Sequence, residues 1–376
     1  MNLLFACYDY FPHGGQQRNC LKIAQKCAAA AHNVTICTRT WEGNKPEGIK
    51  IETLGSKGWS NADRNQNFIN GMTQLVAERK FDGVIAFKKM PGLDVYFASD
   101  PCFEAKFRSN KKWLGRLTRR YRLYRRWEEA VFAKGQRTQI LLITDREVPL
   151  YQEIYGTELE RFHLLPPNID RRSFSDCDRE SARMAKRKEL GLAAEATLLL
   201  MVGSGFRTKG VDRAIEGLAP LNSPGGSQAH LVVVGHGKAE SYARLAKSLG
   251  VSNRVHFLGG RTDVLEWMLA ADLLVHPART ENTGTVLLEA MVSGLPLLVS
   301  DVCGYAFHIE KAEAGCLVPS PFTQERFNRL LQETVHSPNL AQWRANGLRY
   351  AATEDLYSCH EKACGLIEKF IAEKSR

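Results

Sequence analysis

No apolar run in this 376-residue sequence approaches the ~18 residues that a membrane-spanning helix needs, so a helical integral membrane protein is not expected. The ten cysteines lie between Cys7 and Cys364 without a CxxC pair, and their spacing fits neither a zinc site nor a compact disulfide framework. We interpret them as small buried residues in a reducing cytosol. The first residues lack a basic leader, and we expect a first strand there rather than a signal peptide.

Two nucleotide-binding signatures are missing as well. There is no GxxxxGK[ST] loop, which argues against a P-loop ATPase or kinase. The GxG fragments at Gly203–Gly205 and Gly235–Gly237 do not continue to a third glycine at the right spacing, and neither is followed by a convincing ribose-binding acid. A dinucleotide-dependent dehydrogenase is therefore a poor interpretation.

Length and composition predict two globular α/β domains. The chain has 44% hydrophobic and 24% charged residues, and 376 residues exceed one ordinary core. Apolar strands alternate with helical patterns such as 17–30 and 67–78, which predicts parallel sheets covered on both faces. The predicted strands are 3–7, 34–38, 49–54, 83–86, 139–143 and 162–165, then 197–203, 230–235, 255–258, 272–276 and 296–300.

The Pro-rich stretch 165–170 is the predicted linker between these domains. It gives one domain at 1–166 and a second at 167–353, with a terminal helix at about 354–376 that we expect to pack back on the first. Doubly wound sheets place their ligands at the carboxyl ends of the strands. The two Rossmann-like domains are therefore expected to face each other across a cleft.

The most informative stretch runs from Leu274 to Tyr305. It predicts a buried strand, a polar loop, a helix opened by residues 282–285 and a second buried strand, with seven residues between Glu281 and Glu289. Unpartnered amides and the helix dipole favour an anion at this helix start, and the glutamates are suited to accept hydrogen bonds from hydroxyls. The pattern predicts a nucleotide-sugar site, with the phosphate next to Thr283, Gly284 and Thr285.

Three other loops follow predicted strands, and each has a functional and an ordinary interpretation. Gly14 and Gly15 let a substrate approach the backbone, or they only form a strand-to-helix turn. Arg207 and Lys209 neutralise a diphosphate, or they belong to a solvated basic turn. Arg261 stacks on a base, or it is a surface arginine in a turn. None of the three loops decides the function alone.

Several segments together resemble one enzyme family. They are FPHGGQQR at 11–18, TWEG at 40–43, KMPGLDVYFASD at 89–100, KGVDR at 209–213, ENTGTVLLEA at 281–290 and DVCGYA at 301–306. The set is similar to the retaining GT-B glycosyltransferases with an E-x7-E signature, and within them to the lipopolysaccharide core glucosyltransferases that add the first outer-core glucose to heptose. The resemblance extends from residue 3 to about residue 360.

The resemblance implies a GT-B fold in which the carboxy-terminal domain binds UDP-glucose and the amino-terminal domain binds the acceptor, a heptose of the lipopolysaccharide inner core. It implies that Glu289 binds the ribose and Glu281 the glucose hydroxyls, while Lys209 stabilises the departing diphosphate together with amides near Gly284 and Thr285. The anomeric configuration is expected to be retained, by front-face attack in which the leaving phosphate takes the acceptor proton. The remaining implied contacts are Arg261 against the uracil, Gly14 and Gly15 near the sugar diphosphate, and Asp100 on the acceptor side.

Two positions depart from the family pattern. Asn19 stands where relatives carry an acid, and Thr208 precedes Lys209 where relatives have adjacent Arg and Lys. Another hexosyl or N-acetylhexosaminyl transferase of the same fold therefore stays open, as does a catalytically inactive membrane-associated scaffold, for which Asn19 is the only support. A nucleotide-sugar 2-epimerase shares the two-domain fold but fits the E-x7-E arrangement less well. We interpret Asp176-Cys177-Asp178 as a solvated loop and expect no required metal or other cofactor.

The formal net charge of +10 is concentrated, since ten Lys or Arg residues and no acidic residue lie between Lys106 and Arg126. Apolar residues at helical spacing in the same segment predict one basic amphipathic helix. Such a helix either lies on an anionic membrane surface or packs its apolar stripe on its own domain. No recognised nucleic-acid fold accompanies it. Because the implied acceptor is a membrane glycolipid, we favour a cytoplasmic protein peripheral on the inner face of a Gram-negative inner membrane, bound through Lys111, Lys112, Trp113, Arg116, Arg119, Arg120, Arg125 and Arg126.

Overall fold

The computed structural model describes residues 1–12, 14–55, 57–109, 113–170, 178–221 and 228–374. The chain divides into two compact units. Unit 1 comprises Met1–Pro166 with Ser358–Arg376, and unit 2 comprises Pro167–Tyr357. The division falls inside the Pro-rich stretch, where consecutive prolines cannot continue a helix or a central strand.

Unit 1 is built on a parallel sheet whose strands follow the order β5-β3-β1-β6-β7-β8-β9. Its strands are β1 (Asn2–Ala6), β2 (Asp9–Tyr10), β3 (Asn33–Thr38), β4 (Thr40–Trp41), β5 (Ile49–Thr53), β6 (Gly83–Ala86), β7 (Val95–Ala98), β8 (Gln139–Leu142) and β9 (Phe162–Leu164), of which β2 and β4 form a separate pair. Its helices before the linker are α1 (Gly15–Ala29), α2 (Asn61–Glu78), α3 (Phe103–Ser109), α4 (Arg119–Phe132) and α5 (Val148–Tyr155), with short 3-10 helices at Trp113–Leu117 and Leu159–Arg161.

Unit 2 contains a second parallel sheet, in the order β12-β11-β10-β13-β14-β15. Its strands are β10 (Thr197–Val202), β11 (Ala229–Val234), β12 (Val255–Gly259), β13 (Leu273–His276), β14 (Leu297–Ser300) and β15 (Gly315–Val318). Its helices are α6 (Arg179–Leu190), α7 (Phe206–Lys209), α8 (Val211–Leu218), α9 (Ala239–Ser248), α10 (Val264–Ala270), α11 (Thr285–Val292), α12 (Ala306–Ala312), α13 (Gln324–Val335) and α14 (Leu340–Thr353), with a 3-10 helix at Ser252–Arg254.

Both sheets are buried on both faces, as continuous apolar strands require. In β1, Leu3 and Phe5 belong to one core cluster, while Leu4 and Ala6 belong to the cluster on the opposite face. β10 alternates in the same way between the two clusters of unit 2. Each sheet therefore joins two hydrophobic cores.

The last helix of the chain, α15 (Cys359–Lys374), covers one face of the unit 1 sheet beside α1. Its Ile371 approaches β6 so closely that a Cβ on Gly83 would lie 2.4 Å from Ile371 Cδ1. The predicted terminal helix begins later than expected, at Cys359, and α14 ends at Thr353 within unit 2.

The structure adds four strands that the sequence pattern did not predict, namely the two-residue strands β2 and β4 and the longer strands β7 and β15. β7 pairs with β6 after only the loop 87–94, without the intervening helix that a parallel crossover usually has. β15 is an edge strand in which only Val318 is fully buried. β7 equals β6 in length and is likewise buried throughout, so what it lacks is a helix that separates it from β6, whereas β15 is only partly buried.

The basic segment forms two helices rather than the single predicted one. The 3-10 helix ends at Leu117, and Thr118 then caps α4 by accepting a hydrogen bond from the Tyr121 amide. Tyr121, Trp127 and Val131 are buried on the inner side of α4. The apolar residues of α4 therefore pack on their own unit, whereas Leu117, just before the cap, is 74% exposed. Lys111 and Lys112 lie outside the described residues, as does the side chain of Trp113.

None of the nine described cysteines forms a disulfide, and all but Cys316 are buried, as expected of small core residues. Cys177 lies outside the described ranges. Among the described helices, none combines the length and the hydrophobicity that crossing a membrane requires.

Candidate functional site

The loops after β10 and β13 meet at the centre of the unit 2 sheet. The chain runs outward from β10 to β11 and β12, then returns to start the other half of the sheet at β13. The carboxyl ends of two such neighbouring strands diverge into a crevice, which is where open α/β sheets bind ligands. Lys209 follows β10, and Glu281 follows β13. The fold itself therefore brings these two sequence-predicted residues together.

Lys209, Glu281 and His276 form a polar cluster in this crevice. The Lys209 ammonium and the His276 Nε2 both contact Glu281 Oε2, the latter at 3.4 Å. Burial alone would raise the pKa of Glu281, but hydrogen bonds from His276 and Lys209 outweigh it and lower that pKa. Burial lowers the pKa of His276, so its imidazole is neutral at pH 7. The cluster is thus a cation, a carboxylate and a neutral imidazole.

Arg279 fixes the two loops to each other. Its backbone N–H donates to the Thr208 carbonyl at 2.8 Å, and its guanidinium donates to the Arg207 carbonyl at 2.9 Å. The same guanidinium forms a bidentate pair with Asp212 at 2.8 and 2.6 Å. Because a bidentate pair has a defined orientation, the backbone on either side of Lys209 is held in place.

Gly210 allows the two loops to pack this closely. Its φ of +75° is rarely adopted by residues with a side chain, and a Cβ there would lie 2.1 Å from the Pro277 carbonyl oxygen. Gly210 thus ends α7 directly after Lys209 and begins α8.

The loop that carries Glu281 rests on the segment after β14. Glu281 forms an isolated parallel bridge with Cys303, and the Tyr305 amide donates to the Thr283 carbonyl at 2.8 Å. A Cβ on Gly304 would lie 1.9 Å from the Asn282 carbonyl oxygen, so only glycine fits there. Both the backbone and the carboxylate of Glu281 are therefore fixed by contacts within unit 2.

The helix that follows begins later than predicted. α11 starts at Thr285 with Gly284 as its N-cap, and Asn282 and Thr283 lie in the preceding loop, where the Thr283 carbonyl accepts from the Tyr305 amide. Gly284 has a φ of +84° and no side chain that could cap the first amides. The first turn of α11 thus presents backbone N–H groups of the kind that bind anions. Glu289 is half-buried one turn further along the helix.

The two predicted arginines differ in their surroundings. Arg207 is exposed on α7 beside Lys209. Arg261 donates to both carboxylate oxygens of Asp263, at 2.8 and 2.6 Å, and approaches Glu189 at 3.1 Å. These carboxylates occupy the N–H edge of the Arg261 guanidinium and hold it in one orientation. A stacking contact with a base uses the flat face, which these pairs leave free of hydrogen bonds.

In unit 1, Gly14 is the N-cap of α1 and Gly15 is its first residue, at the carboxyl end of β1. Gly14 is tightly enclosed, since a Cβ would lie 2.0 Å from Gln17 Oε1, whereas a Cβ on Gly15 meets no atom within 4 Å among the described residues. Asp100 follows β7 and pairs with Lys88 through both carboxylate oxygens, at 2.9 and 2.8 Å. Each of these residues lies at the carboxyl edge of the unit 1 sheet.

Asn19, the departure on α1, is occupied by a contact inside unit 1. Its Oδ1 lies 3.0 Å from Nε2 of His360 at the start of α15. The side chain thus links α1 to the terminal helix, a contact between residues 341 positions apart in sequence.

Sequence reasoning missed His276, Arg279 and Gly304. A polar residue that ends an otherwise apolar strand was the available signal for His276, since Leu273, Leu274 and Val275 precede it. Arg279 gave no local signal, because its partner Asp212 is 67 residues away.

The described residues contain no cluster of three His, Cys, Asp or Glu side chains that could hold a metal ion. Asp176 and Cys177 of the DxD-like segment lie outside the described ranges. Asp178 caps α6 by accepting a hydrogen bond from the Glu180 amide.

Comparison with known proteins connects this geometry to a family. Residues 182–349, all within unit 2, match the model of glycosyl transferases group 1. The chain is 43% identical over 369 residues, 98% of both chains, to the lipopolysaccharide glucosyltransferase WaaG of Escherichia coli (strain K12). It is 25% identical over 81% of its length to a D-inositol 3-phosphate glycosyltransferase of Jonesia denitrificans, of which 79% is covered.

Solved structures agree in fold. A crystal structure of WaaG, a glycosyltransferase involved in lipopolysaccharide biosynthesis, superposes with a TM-score of 0.86 at 42% identity, covering 97% of this chain and 99% of that one. Anabaena Alr3699/HepE in complex with UDP has a TM-score of 0.73 at 18% identity, over 98% of this chain and all of that one. The predicted GT-B fold with two Rossmann-like α/β domains is confirmed.

Proposed function

Because this chain belongs to the group 1 glycosyl transferases, and within them to the lipopolysaccharide glucosyltransferases, it transfers a glycosyl group in lipopolysaccharide core biosynthesis; we propose that it moves glucose from UDP-glucose to an inner-core heptose with retention of configuration. The observation that carries the proposal is the Lys209–Glu281 pair at the centre of the unit 2 sheet, beside the glycine-capped start of α11. A cation, free helix amides and a carboxylate match the diphosphate and the sugar hydroxyls of such a donor.

Donor binding exchanges the partners of this pair. The diphosphate competes with Glu281 for the Lys209 ammonium, and the sugar hydroxyls replace that ammonium as donors to the carboxylate. The lowered pKa of Glu281 keeps it ionised at neutral pH, so it accepts hydrogen bonds and has no proton to give. We therefore assign Glu281 to sugar binding and not to general acid chemistry.

Lys209 supplies the electrostatic part of catalysis. Negative charge grows on the bridging oxygen of the diphosphate as the glycosidic bond breaks, and a preorganised cation there stabilises the transition state more than the ground state. The first amides of α11, at Gly284 and Thr285, point their partial positive charge at the same group. The aliphatic stem of Lys209 lies over Gly203, where a Cβ would come within 3.1 Å of its Cε, so the ammonium is held by packing as well.

In this proposal Glu289, Arg207 and Arg261 bind the nucleotide end of the donor. Glu289 accepts from the ribose hydroxyls, Arg207 adds a second cation for the phosphates, and the orientation that Asp263 imposes on Arg261 favours stacking on the uracil. The carboxylate partners of Arg261 also keep it from competing with Lys209 for phosphate.

In unit 1 the proposal keeps Gly14 and Gly15 as contacts of the sugar diphosphate and Asp100 as an acceptor-side residue. Asn19 has no ionisable group, so it cannot serve as a base. In retaining front-face transfer the leaving phosphate itself takes the proton of the heptose hydroxyl. An asparagine at this position is therefore compatible with an active enzyme.

A thermal-shift panel tests the donor. UDP and UDP-glucose are expected to raise the melting temperature, because a ligand that binds only the native state stabilises it by mass action. UDP-N-acetylglucosamine and UDP-N-acetylgalactosamine serve as matched donors of different sugar, and ADP-glucose as the base control. Stabilisation by ADP-glucose alone would overturn the uridine assignment, and absence of UDP-glucose hydrolysis by the purified protein would favour the inactive scaffold.

We further propose that unit 1 binds the anionic inner face of the inner membrane through the charge of its basic segment. The buried side of α4 is already packed on its own unit and is not free for insertion. Arg116, Arg119 and Arg125 are half to two-thirds exposed even though each pairs with a carboxylate. The Arg125–Glu129 pair is exposed on both sides and therefore weak, whereas Glu104 and Asp63, the partners of Arg116 and Arg119, are only 3% and 20% exposed. All three guanidinium groups still reach solvent, where lipid phosphates can contact them.

Replacing Arg119, Arg120, Arg125 and Arg126 with glutamine is expected to weaken co-sedimentation with phosphatidylglycerol vesicles about tenfold or more, since each charge near such a surface contributes ~1 kcal/mol. A matched control removes four exposed lysines outside the segment, Lys238, Lys247, Lys311 and Lys369. Raised salt should release the wild-type protein as well. Equal vesicle binding by the two variants would contradict the assignment.

A further inference from the structure

His276 is a fully buried polar residue at the end of an apolar strand. Its side chain has no solvent exposure, and it projects to the same face of the sheet as Leu274, which packs against α11. Among the described residues its Nδ1 has no hydrogen-bond partner. Its polar contact is between Nε2 and Glu281 Oε2, at 3.4 Å.

This placement is unfavourable for stability. A buried imidazole loses its hydration, and the unpartnered Nδ1 is not compensated by any hydrogen bond among the described residues. Leucine or methionine would fill the same space without these costs. The reason for histidine therefore lies in the one polar contact that it makes.

That contact makes the two carboxylate oxygens of Glu281 different in their hydrogen bonding. Lys209 and His276 both reach Oε2, so one oxygen carries both protein donors. Gly284 lies close beside the carbon chain of Glu281, since a Cβ built on it would be 3.2 Å from Glu281 Cγ. With the backbone bridge to Cys303 added, the carboxylate plane has little freedom to turn.

We propose that His276 is a positioning residue for donor-sugar binding: as the Nε2–H tautomer it holds Glu281 Oε2 and leaves Oε1 to accept a sugar hydroxyl. The inference rests on the proposed function, because it deepens the role given there to Glu281. It also explains how the carboxylate keeps its orientation when the diphosphate draws Lys209 away, since His276 is a neutral donor that phosphate does not attract as strongly. His276 itself touches no reacting atom in this account.

The test compares two substitutions in the full-length protein. His276→Leu removes the donor and is expected to lower kcat about ten- to a hundredfold, the usual range for a hydrogen bond to a charged group. His276→Gln carries an amide N–H near the position of Nε2 and should recover most of that loss. In both variants the Kd for UDP should equal the wild-type value, because Glu281 contacts the sugar and not the nucleotide.

The melting temperatures of the variants show whether His276 positions Glu281 or only fills space in the core. The leucine variant should melt at or above the wild-type temperature, because it removes the unpartnered Nδ1, while its turnover falls. Equal loss of activity in the leucine and glutamine variants, or a parallel loss of UDP affinity, would overturn the inference. Nitrogen-15 NMR of the wild-type protein is independent of any variant: a proton on Nε2 supports the assignment, and a proton on Nδ1 refutes it.

These outcomes are distinct from a failure of the proposed function. If the wild-type enzyme uses a donor other than UDP-glucose, the donor assignment fails, and the comparison of His276 variants is made with that donor instead. If UDP-glucose is used and the leucine variant is as active as wild type, only the role of His276 fails.

Discussion

Glu281→Ala is expected to lower the rate of glycosyl transfer by ~10²–10³-fold, while UDP still binds at least as tightly as it does to the wild-type protein. The carboxylate contacts the donor sugar in our proposal, and loss of one preorganised group of this kind typically lowers kcat by ~10²–10³-fold. Removing it also frees Lys209 for the diphosphate, so nucleotide affinity has no reason to fall. Steady-state kinetics with UDP-glucose and calorimetric titration with UDP measure the two quantities.

Glu310→Ala is the matched control, since Glu310 is an exposed glutamate on α12 of the same unit. It should leave both kcat and the Kd for UDP unchanged. Near-normal turnover in Glu281→Ala would remove Glu281 from the site. Loss of UDP binding together with a lower melting temperature would instead indicate that Glu281 mainly holds the loop against Cys303.

The second large effect is on stability, and it concerns Glu128 on α4. This carboxylate has no solvent exposure, and the Lys89 ammonium that pairs with it is only 10% exposed. It also accepts hydrogen bonds from the Phe103 and Glu104 amides at the start of α3, at 2.7 and 3.0 Å, and from the Tyr155 hydroxyl at 2.7 Å. One side chain thus joins α3, α4, α5 and the loop after β6.

Glu128→Ala is expected to lower the free energy of unfolding by ~3–5 kcal/mol, because it leaves the buried Lys89 charge and two helix amides without their partner. Urea unfolding measures the loss, and faster hydrogen exchange of the α3 amides should locate it in unit 1. The neighbouring Glu129 pairs with Arg125 at the surface, with 43% and 49% exposure, so Glu129→Ala should cost under ~1 kcal/mol.

A double-mutant cycle separates the ion pair from the amide contacts. Lys89→Met alone leaves Glu128 with its amide and hydroxyl donors, so the coupling between the two positions reports the ion pair. If Glu128→Ala cost no more than Glu129→Ala, the buried carboxylate would not be the link between these helices.

Local sequence patterns were sufficient to predict a strand or helix where one residue type dominates a segment. The apolar runs of β1, β10 and β13 predicted strands because a parallel strand covered on both faces must be apolar throughout. β7 was missed because it follows β6 through a short loop, and the alternation of strand and helix was the criterion. The basic segment was misjudged as one helix because Thr118 caps α4 through its side chain, a role that spacing alone does not show.

The site could be predicted only as far as its residues lie close in sequence. The E-x7-E stretch placed Glu281 and Glu289 correctly at the end of a strand and on the helix after it. The contacts of Glu281 depend on Lys209, 72 residues earlier, and on Cys303 after the next strand. Which side chains converge at a crevice depends on the order of strands in the sheet, and that order is a property of the whole fold.

The late position of α15 has a consequence for the synthesis of this protein. Unit 1 is made of two segments separated by residues 167–357, whereas unit 2 is continuous. At a translation rate of ~5–20 residues per second, the unit 1 sheet waits roughly 10–40 s before α15 leaves the ribosome. During that interval the core face later covered by Ile367 and Ile371 is open to water. The order of synthesis thus lets unit 2 complete its cores before unit 1 can close its own.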